Sequence, residues 1–189
     1  SRAGSQKNIW DVCSESVESE GYKGDYMSNK VVFSLLVDNE AGVLSRVAGL
    51  FSRRGYNIDS VTVGVTENPA YSRMTVAVSG DNASLSQIKK QLNKLEDVVE
   101  IVELEPGKSV CRELVLVKVR SDKDTRQDIM SIANIFRANI VDVSKGSMII
   151  ELTGATSKCE AFLGLLDGFE IIELVRTGLT GLVRGQRQD

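Results

Sequence analysis

Asn39 and Gly42 stand three positions apart in the stretch DNEAGVLSRVAGLFSRRGYNID (38–59), where small polar residues give way to a helical pattern. The first backbone N–H groups of a helix lack intrahelical partners, and the helix dipole places about half a positive charge there. A small carboxylate suits such a place. Gly42 has no Cβ, so a ligand can come close to the backbone and the turn can take positive φ. Asn39 carries both a donor and an acceptor, as a zwitterion would require. Asn57 stands at the start of the next strand, and Val43, Leu44 and Ile58 are apolar and of a size to meet an aliphatic side chain. The same residue types are what caps and turns prefer, so residue chemistry leaves a capped core helix and an open site both standing. Arg46, Arg53 and Arg54 are similarly open between anion contacts and a solvated helix face.

Other chemistries are narrowed by composition. The chain of 189 residues contains no histidine, which removes Ser-His-Asp and Cys-His catalysis, the common zinc sites and the usual base near neutral pH. Neither G-x-x-x-x-G-K-[ST] nor G-x-G-x-x-G occurs. The acidic residues are scattered over helix faces and strand ends, where solvation explains them. Cys13, Cys111 and Cys159 are odd in number and lack CxxC spacing, which suits a reducing, cytoplasmic compartment. Each is open to a thiol-nucleophile reading, but no histidine is present to activate it, and Cys159 fits a helix core. A net charge of −3 gives no bulk case for nucleic acid or an anionic membrane. No apolar run approaches the ~20 residues of a bilayer span.

These candidate residues must be positioned by the elements around them. Residues 1–29 are polar and without period, and are expected to be a leader, either added at cloning or weakly ordered. Met27 is read as a natural start, and a short amphipathic piece around Ile9, Trp10 and Val17 is open to docking. From Lys30 the pattern becomes dense. VVFSLLV (31–37) predicts a buried strand, and Leu44, Val47, Ala48 and Phe51 predict one helix face, with Gly55 as its C-cap. Alternating runs at 60–66 and 71–80 flank an Asn68-Pro69 turn. Leu85, Ile88, Leu92 and Leu95 mark a second helix capped by Ser84 or Asp81, and a strand follows at 98–104.

After the break at Glu105–Lys108 the order repeats. A strand at 113–119 precedes a helix with Ile129, Ile132, Ala133 and Phe136 on one face. Strands at 139–144 and 148–154 turn at Lys145-Gly146. Cys159, Phe162, Leu163 and Leu166 give a fourth helix, and 169–178 closes the unit. The reading is an α+β chain of two tandem βαββαβ ferredoxin-like domains, at 30–106 and 107–185, with a short tail at 186–189. Apolar residues on both sides of the strands lead us to expect a neighbouring sheet or subunit to cover the face without helices, and hence oligomerisation.

The stretches LLVDNEAGVLSRVAGLFSRRGYNIDSVTV, SRMTVAVSGD and QLNKLEDVVEI resemble the small regulatory subunit of acetohydroxyacid synthase (acetolactate synthase), whose first half is an amino-acid-sensing ACT domain. RELVLVKV, IFRANIVDVS, ELTG and FEIIELVRTGLTGLVRG are similar to that family's C-terminal domain, so the likeness spans about 30–185. It departs from the commonest pattern at Ala41, often serine. The resemblance implies a non-catalytic chain without cofactor of its own. It would activate a catalytic large subunit that holds thiamine diphosphate, Mg²⁺ and FAD, and would confer feedback inhibition by valine, leucine or isoleucine, with valine foremost. It implies a homodimer through the ACT domains, with effector positions Asn39, Gly42, Val43 and Leu44 from one chain and Asn57 and Ile58 from the other. It implies neither a nucleic acid nor a membrane partner, and a single copy of the two-domain unit of bacterial or archaeal type. A stand-alone ACT sensor acting on another enzyme or on transcription is the alternative. A small phosphate-transfer enzyme of ferredoxin-like shape is disfavoured by the missing histidine and phosphate loop.

Overall fold

The computed structural model describes residues 29–53 and 56–185, so the readings placed on the leader, Cys13, Arg54, Gly55 and the tail lie outside the described residues. In the first domain, strand β1 (Asn29–Asp38) leads to helix α1 (Val43–Arg53), then to strands β2 (Asn57–Val65) and β3 (Tyr71–Gly80). Helix α2 (Asn82–Leu92) and strand β4 (Val98–Glu103) complete it. The second domain repeats the order with β5 (Ser109–Arg120), α3 (Arg126–Phe136), β6 (Asn139–Val143), β7 (Ser147–Gly154), α4 (Thr156–Leu165) and β8 (Ile171–Arg176). A further short strand, β9 (Thr180–Val183), was not expected from the sequence; it pairs with the first residues of β5.

The sheets have the orders β2-β3-β1-β4 and β6-β7-β5-β8, with the neighbouring strands antiparallel. That order leaves β2 at a free edge, where among the described residues its only ladder is to β3. Alternation along the strands sends Phe33, Leu35 and Val37 with Met74, Val76 and Val78 toward the helices, where they form the first core. Val115, Val117 and Val119 with Met148, Ile150 and Leu152 do the same in the second. Burial of each such side chain contributes roughly 1.5–3 kcal/mol. Phe136 and Phe162 join α3 to α4 edge-to-face, with ring centroids 5.5 Å apart.

Two expectations change. The apolar face of α1 consists of Val43, Val47, Leu50 and Phe51, whereas Leu44 is 50% exposed. A spacing of three or four residues fits either set, and packing against β1 and β3 chooses the rotation. The outer face of the first sheet is not left for a neighbour alone: Thr75 and Ala77 there are buried, and the segment after β8 crosses it. The second sheet keeps its outer residues Leu114, Leu116 and Ile149 half-buried, and its edge strands β6 and β8 leave Val141, Val143, Ile172 and Val175 exposed. Of the two proposed caps for α2, Asp81 takes the role by accepting from the Ser84 amide at 2.8 Å.

Candidate functional site

β1 carries the chain to the end of the first sheet, and Asn39 then turns it toward α1. The Asn39 amide N–H donates to the Ala70 carbonyl at 2.8 Å, and its Nδ2 donates to the Pro69 carbonyl at 2.9 Å. Its Oδ1 accepts from Ser72 Oγ at 3.0 Å. Asn39 therefore ties the β1–α1 loop to the β2–β3 turn and does not cap the helix. An amide side chain has one further donor hydrogen and one further lone pair, so these contacts do not exhaust it.

The start of α1 is open. Gly42 has φ +89°, the conformation its missing Cβ permits, and the first full helical bond runs from Arg46 N–H to the Gly42 carbonyl at 2.9 Å. Val43 N–H makes a long contact of 3.5 Å with the Glu40 carbonyl. Among the described residues no side chain accepts from the amides of Gly42, Leu44 or Ser45, and no acidic residue occupies the first turn. Arg46 folds back beside Gly42: a Cβ there would lie 3.1 Å from Arg46 Nη1. Its guanidinium makes a bidentate pair with Asp97, at 2.5 and 2.6 Å, joining α1 to the residue before β4. That hydrogen bonding holds the Asp97 carboxyl below its usual range and raises Arg46 above its own. Arg46 is thus an internal tie, while Arg53 Nε donates to the Gly49 carbonyl of its own helix. Val43 turns its side chain into the core, leaving its backbone to face the loop, and Leu44 presents its side chain to solvent.

Asn57 and Ile58 are elsewhere. Asn57 lies opposite Ser79, which itself lies opposite Lys30, whereas Asn39 follows Asp38 at the other end of β1. The separation along β1 is roughly 27 Å at ~3.4 Å per residue. One chain therefore brings Asn39, Gly42, Val43 and Leu44 together, and keeps Asn57 and Ile58 apart from them. Asn57 is exposed at the free edge, and Ile58 is half-buried against the first core.

Several neighbours of β2 were not singled out in the sequence. A β-bulge sits between Ile58 and Ser60, and a cleft of about 440 Å³ separates this part of β2 from the second domain. The cleft contains Lys30 and Asp59 from one side, and Glu113, Glu160 and Arg176 from the other. Buried Glu113 receives both Arg176 Nη2, at 2.7 Å, and Nε, at 3.2 Å, and Glu160 receives Arg176 Nη1 at 2.6 Å. Hydrogen bonding to Glu113 raises Arg176 well above its ordinary value. Their only signal in the sequence was opposite charge at distant positions, which does not identify partners. Burial, with Glu113 nearby, pushes the Cys159 thiol up, which argues against the nucleophile reading. Among the described residues no cluster of three or more acidic or cysteine side chains is arranged to hold a metal ion. No described helix is long and apolar enough to cross a membrane.

Residues 33–100 match the family model of the AHAS small subunit-like ACT domain, and residues 112–185 match that of the small subunit of acetolactate synthase. The probable acetolactate synthase small subunit of Methanothermobacter thermautotrophicus is 50% identical over 157 residues, covering 82% of this chain and 94% of that protein. The acetolactate synthase small subunit of Mycobacterium bovis is 49% identical over 154 residues, covering 82% and 92%. The crystal structure of the acetolactate synthase small subunit from Thermotoga maritima superposes with a TM-score of 0.77 at 44% identity, covering 84% of this chain and 99% of that one.

Proposed function

The chain belongs to the small-subunit family of acetolactate synthase, and on that premise we propose that its ACT domain binds a branched-chain amino acid, valine foremost, at a site shared by two copies. Its role is regulatory, and its partner is a catalytic large subunit. In this reading the chain activates that subunit, and bound effector lowers the activity again. The condensation of 2-ketoacids, with thiamine diphosphate, Mg²⁺ and FAD, belongs to the partner.

The observation that carries the reading is the register of the free β2 edge. Val65, at the C-terminal end of β2, lies opposite Ser72, whose hydroxyl donates to Asn39. The Asn39–Leu44 loop is thus at that end of the sheet, after β1 and two strands in from the β2 edge, and Asn57 is at the other end. Two β2 edges paired antiparallel about a two-fold axis would set Asn57 and Ile58 of one copy beside the Asn39–Leu44 loop of the second. Neither half is complete alone. The unpartnered α1 amides supply donors for a carboxylate, the unused valences of Asn39 and Asn57 suit an ammonium group, and Leu44 and Ile58 offer aliphatic surface. A ligand held between two copies favours one docking of the pair over others, which is the differential affinity that regulation needs.

The test is an activity assay of the cognate catalytic subunit with and without this chain, each with valine, leucine or isoleucine. Activation that a branched-chain amino acid reverses is the expected outcome. Activation indifferent to all three would remove the sensing role, and no activation at all would remove the regulatory one.

A further inference from the structure

Every charged group in the cleft between the domains already has a counter-charge, Lys30 with Asp59 at 3.7 Å and Arg176 with Glu113 and Glu160. The cleft therefore makes no demand for a ligand. What spans it is a segment of backbone. Leu179 N–H donates to Ser60 Oγ at 3.3 Å, and Thr62 Oγ1 donates to the Leu179 carbonyl at 3.0 Å. The Leu179 side chain is buried, as are Thr75 and Ala77 on the adjacent strand. Gly178 has φ +84°, and a Cβ there would stand 2.5 Å from Ser60 Cβ. Only glycine permits so close an approach in that conformation. The segment is anchored on its own side as well: Thr177 N–H donates to the Leu114 carbonyl at 3.1 Å, and Leu114 N–H donates to Thr177 Oγ1 at 3.0 Å.

Its target is the bulge of β2. Ile58 and Val61 are three residues apart, yet both pack against the first core, which an unbroken strand cannot arrange. The extra residue, Asp59, restores the parity, and its carboxylate accepts from Ser79 Oγ at 2.6 Å. On the other side of the bulge Ser60 and Thr62 are held by Leu179. Among the described residues of one copy β2 has β3 alone as neighbour, so few contacts within the copy fix the register in which it meets a second one, and a one-residue slip would exchange the faces of Asn57 and Ile58.

We propose that Gly178 and Leu179 of the second domain are positioning residues for the Asn57–Ile58 half of the effector site. They clamp Ser60 and Thr62 and so hold the bulge in register. The inference rests on the proposed effector reading and adds to it a regulatory role for the second domain, since a site whose geometry depends on that domain also reports back to it.

The test uses the full chain in four forms: wild type, Gly178→Ala, Thr62→Val, and Gly178→Ala with Ser60→Gly. Calorimetry with valine, leucine and isoleucine gives affinity, and amide hydrogen exchange compares residues 57–60 with Phe33 and Leu35 of β1. Gly178→Ala should weaken effector binding by about tenfold, within the usual span of such couplings, and speed exchange at 57–60 more than in β1. Ser60→Gly in the same chain removes the atoms the new methyl would meet but also the Oγ that accepts from Leu179 N–H, so it should recover only the part of both losses that the clash causes. Thr62→Val, close in shape, should move both readouts the same way by less, and it decides the matter if Gly178→Ala does not fold. Unchanged affinity and unchanged exchange at 57–60 in the folded variants would overturn the inference. Wild type that binds none of the three amino acids would refute the proposed function instead, and exchange at 57–60 would then decide the positioning role alone.

Discussion

Substitution of Gly42 by aspartate puts a carboxylate where the carboxylate of the effector is proposed to lie. The cost to the fold is limited. An L side chain at φ +89° carries strain of about 1–3 kcal/mol, and the new Cβ meets the guanidinium end of Arg46 at 3.1 Å, on the nitrogen that Asp97 does not hold. A negative charge at a helix start returns about 0.3–1 kcal/mol, and a domain stable by about 5–15 kcal/mol withstands the difference. The cost to the effector is larger. Two carboxylates about 4 Å apart at an effective dielectric of about 20 repel by about 4 kcal/mol, and each ~1.4 kcal/mol is a factor of ten. Effector affinity should therefore fall by at least about a hundredfold. The assay is effector inhibition of the assembled enzyme, with activation by the variant as the check on folding and assembly. Gly42→Ala is the control, because it shares the backbone strain without the charge and should retain most of the response. Gly42→Asp that activates and remains as effector-sensitive as wild type would refute the site. Gly42→Ala that loses as much as Gly42→Asp would show that backbone geometry, not anion recognition, is what the glycine provides.

Two further outcomes follow from the charges. Arg176→Met leaves the carboxylate of Glu113, 4% exposed, buried without its cation; allowing for the 32% exposure of Arg176, the cost should be about 2–3 kcal/mol. Thermal unfolding should show this as a fall of roughly 5–10 °C, whereas Glu160→Gln, at a side chain 57% exposed, should change the midpoint little. Asp81 and Asp122 are held below the ordinary carboxylate range chiefly by the amides of Ser84 and Thr125. A depressed folded-state pKa contributes stability that is complete above roughly pH 4 and is lost as pH falls through the lower folded value. Acid unfolding should therefore be shallower in Asp81→Asn and Asp122→Asn than in wild type, and an unchanged pH profile would contradict the capping geometry.

Much of this architecture was legible along the chain. Helical and strand periods, the doubled βαββαβ order and the cores around Phe51 and Phe136 depend on residues near one another in sequence, where alternation and three-to-four spacing show directly. The candidate loop was visible for the same reason, since a polar turn with a glycine before an apolar period is a local signal. Its internal geometry was not. The spacing that includes Leu44 fits a helix as well as the spacing that includes Val43, and only contact with β1 and β3 turns Val43 inward. The partners of Asn39 lie some thirty residues on, across the β2–β3 turn. A sequence shows that Asn39 can bond in several directions, and not which carbonyl and hydroxyl will meet it.

The sequence by itself determined the two repeats, the order of strands and helices in each, and the position of the polar loop before α1, because each follows from side-chain period and turn chemistry over a few residues. Tertiary structure alone decided that Asn39 and Asn57 lie at opposite ends of one sheet, that the outer face of the first sheet is crossed by its own chain, and that Leu179 meets Thr62, 117 residues earlier. Those facts depend on strand order, on a bulge and on the closing of long loops. Many pairings of polar residues satisfy the same composition, and the burial of two complete cores selects the one that is realised.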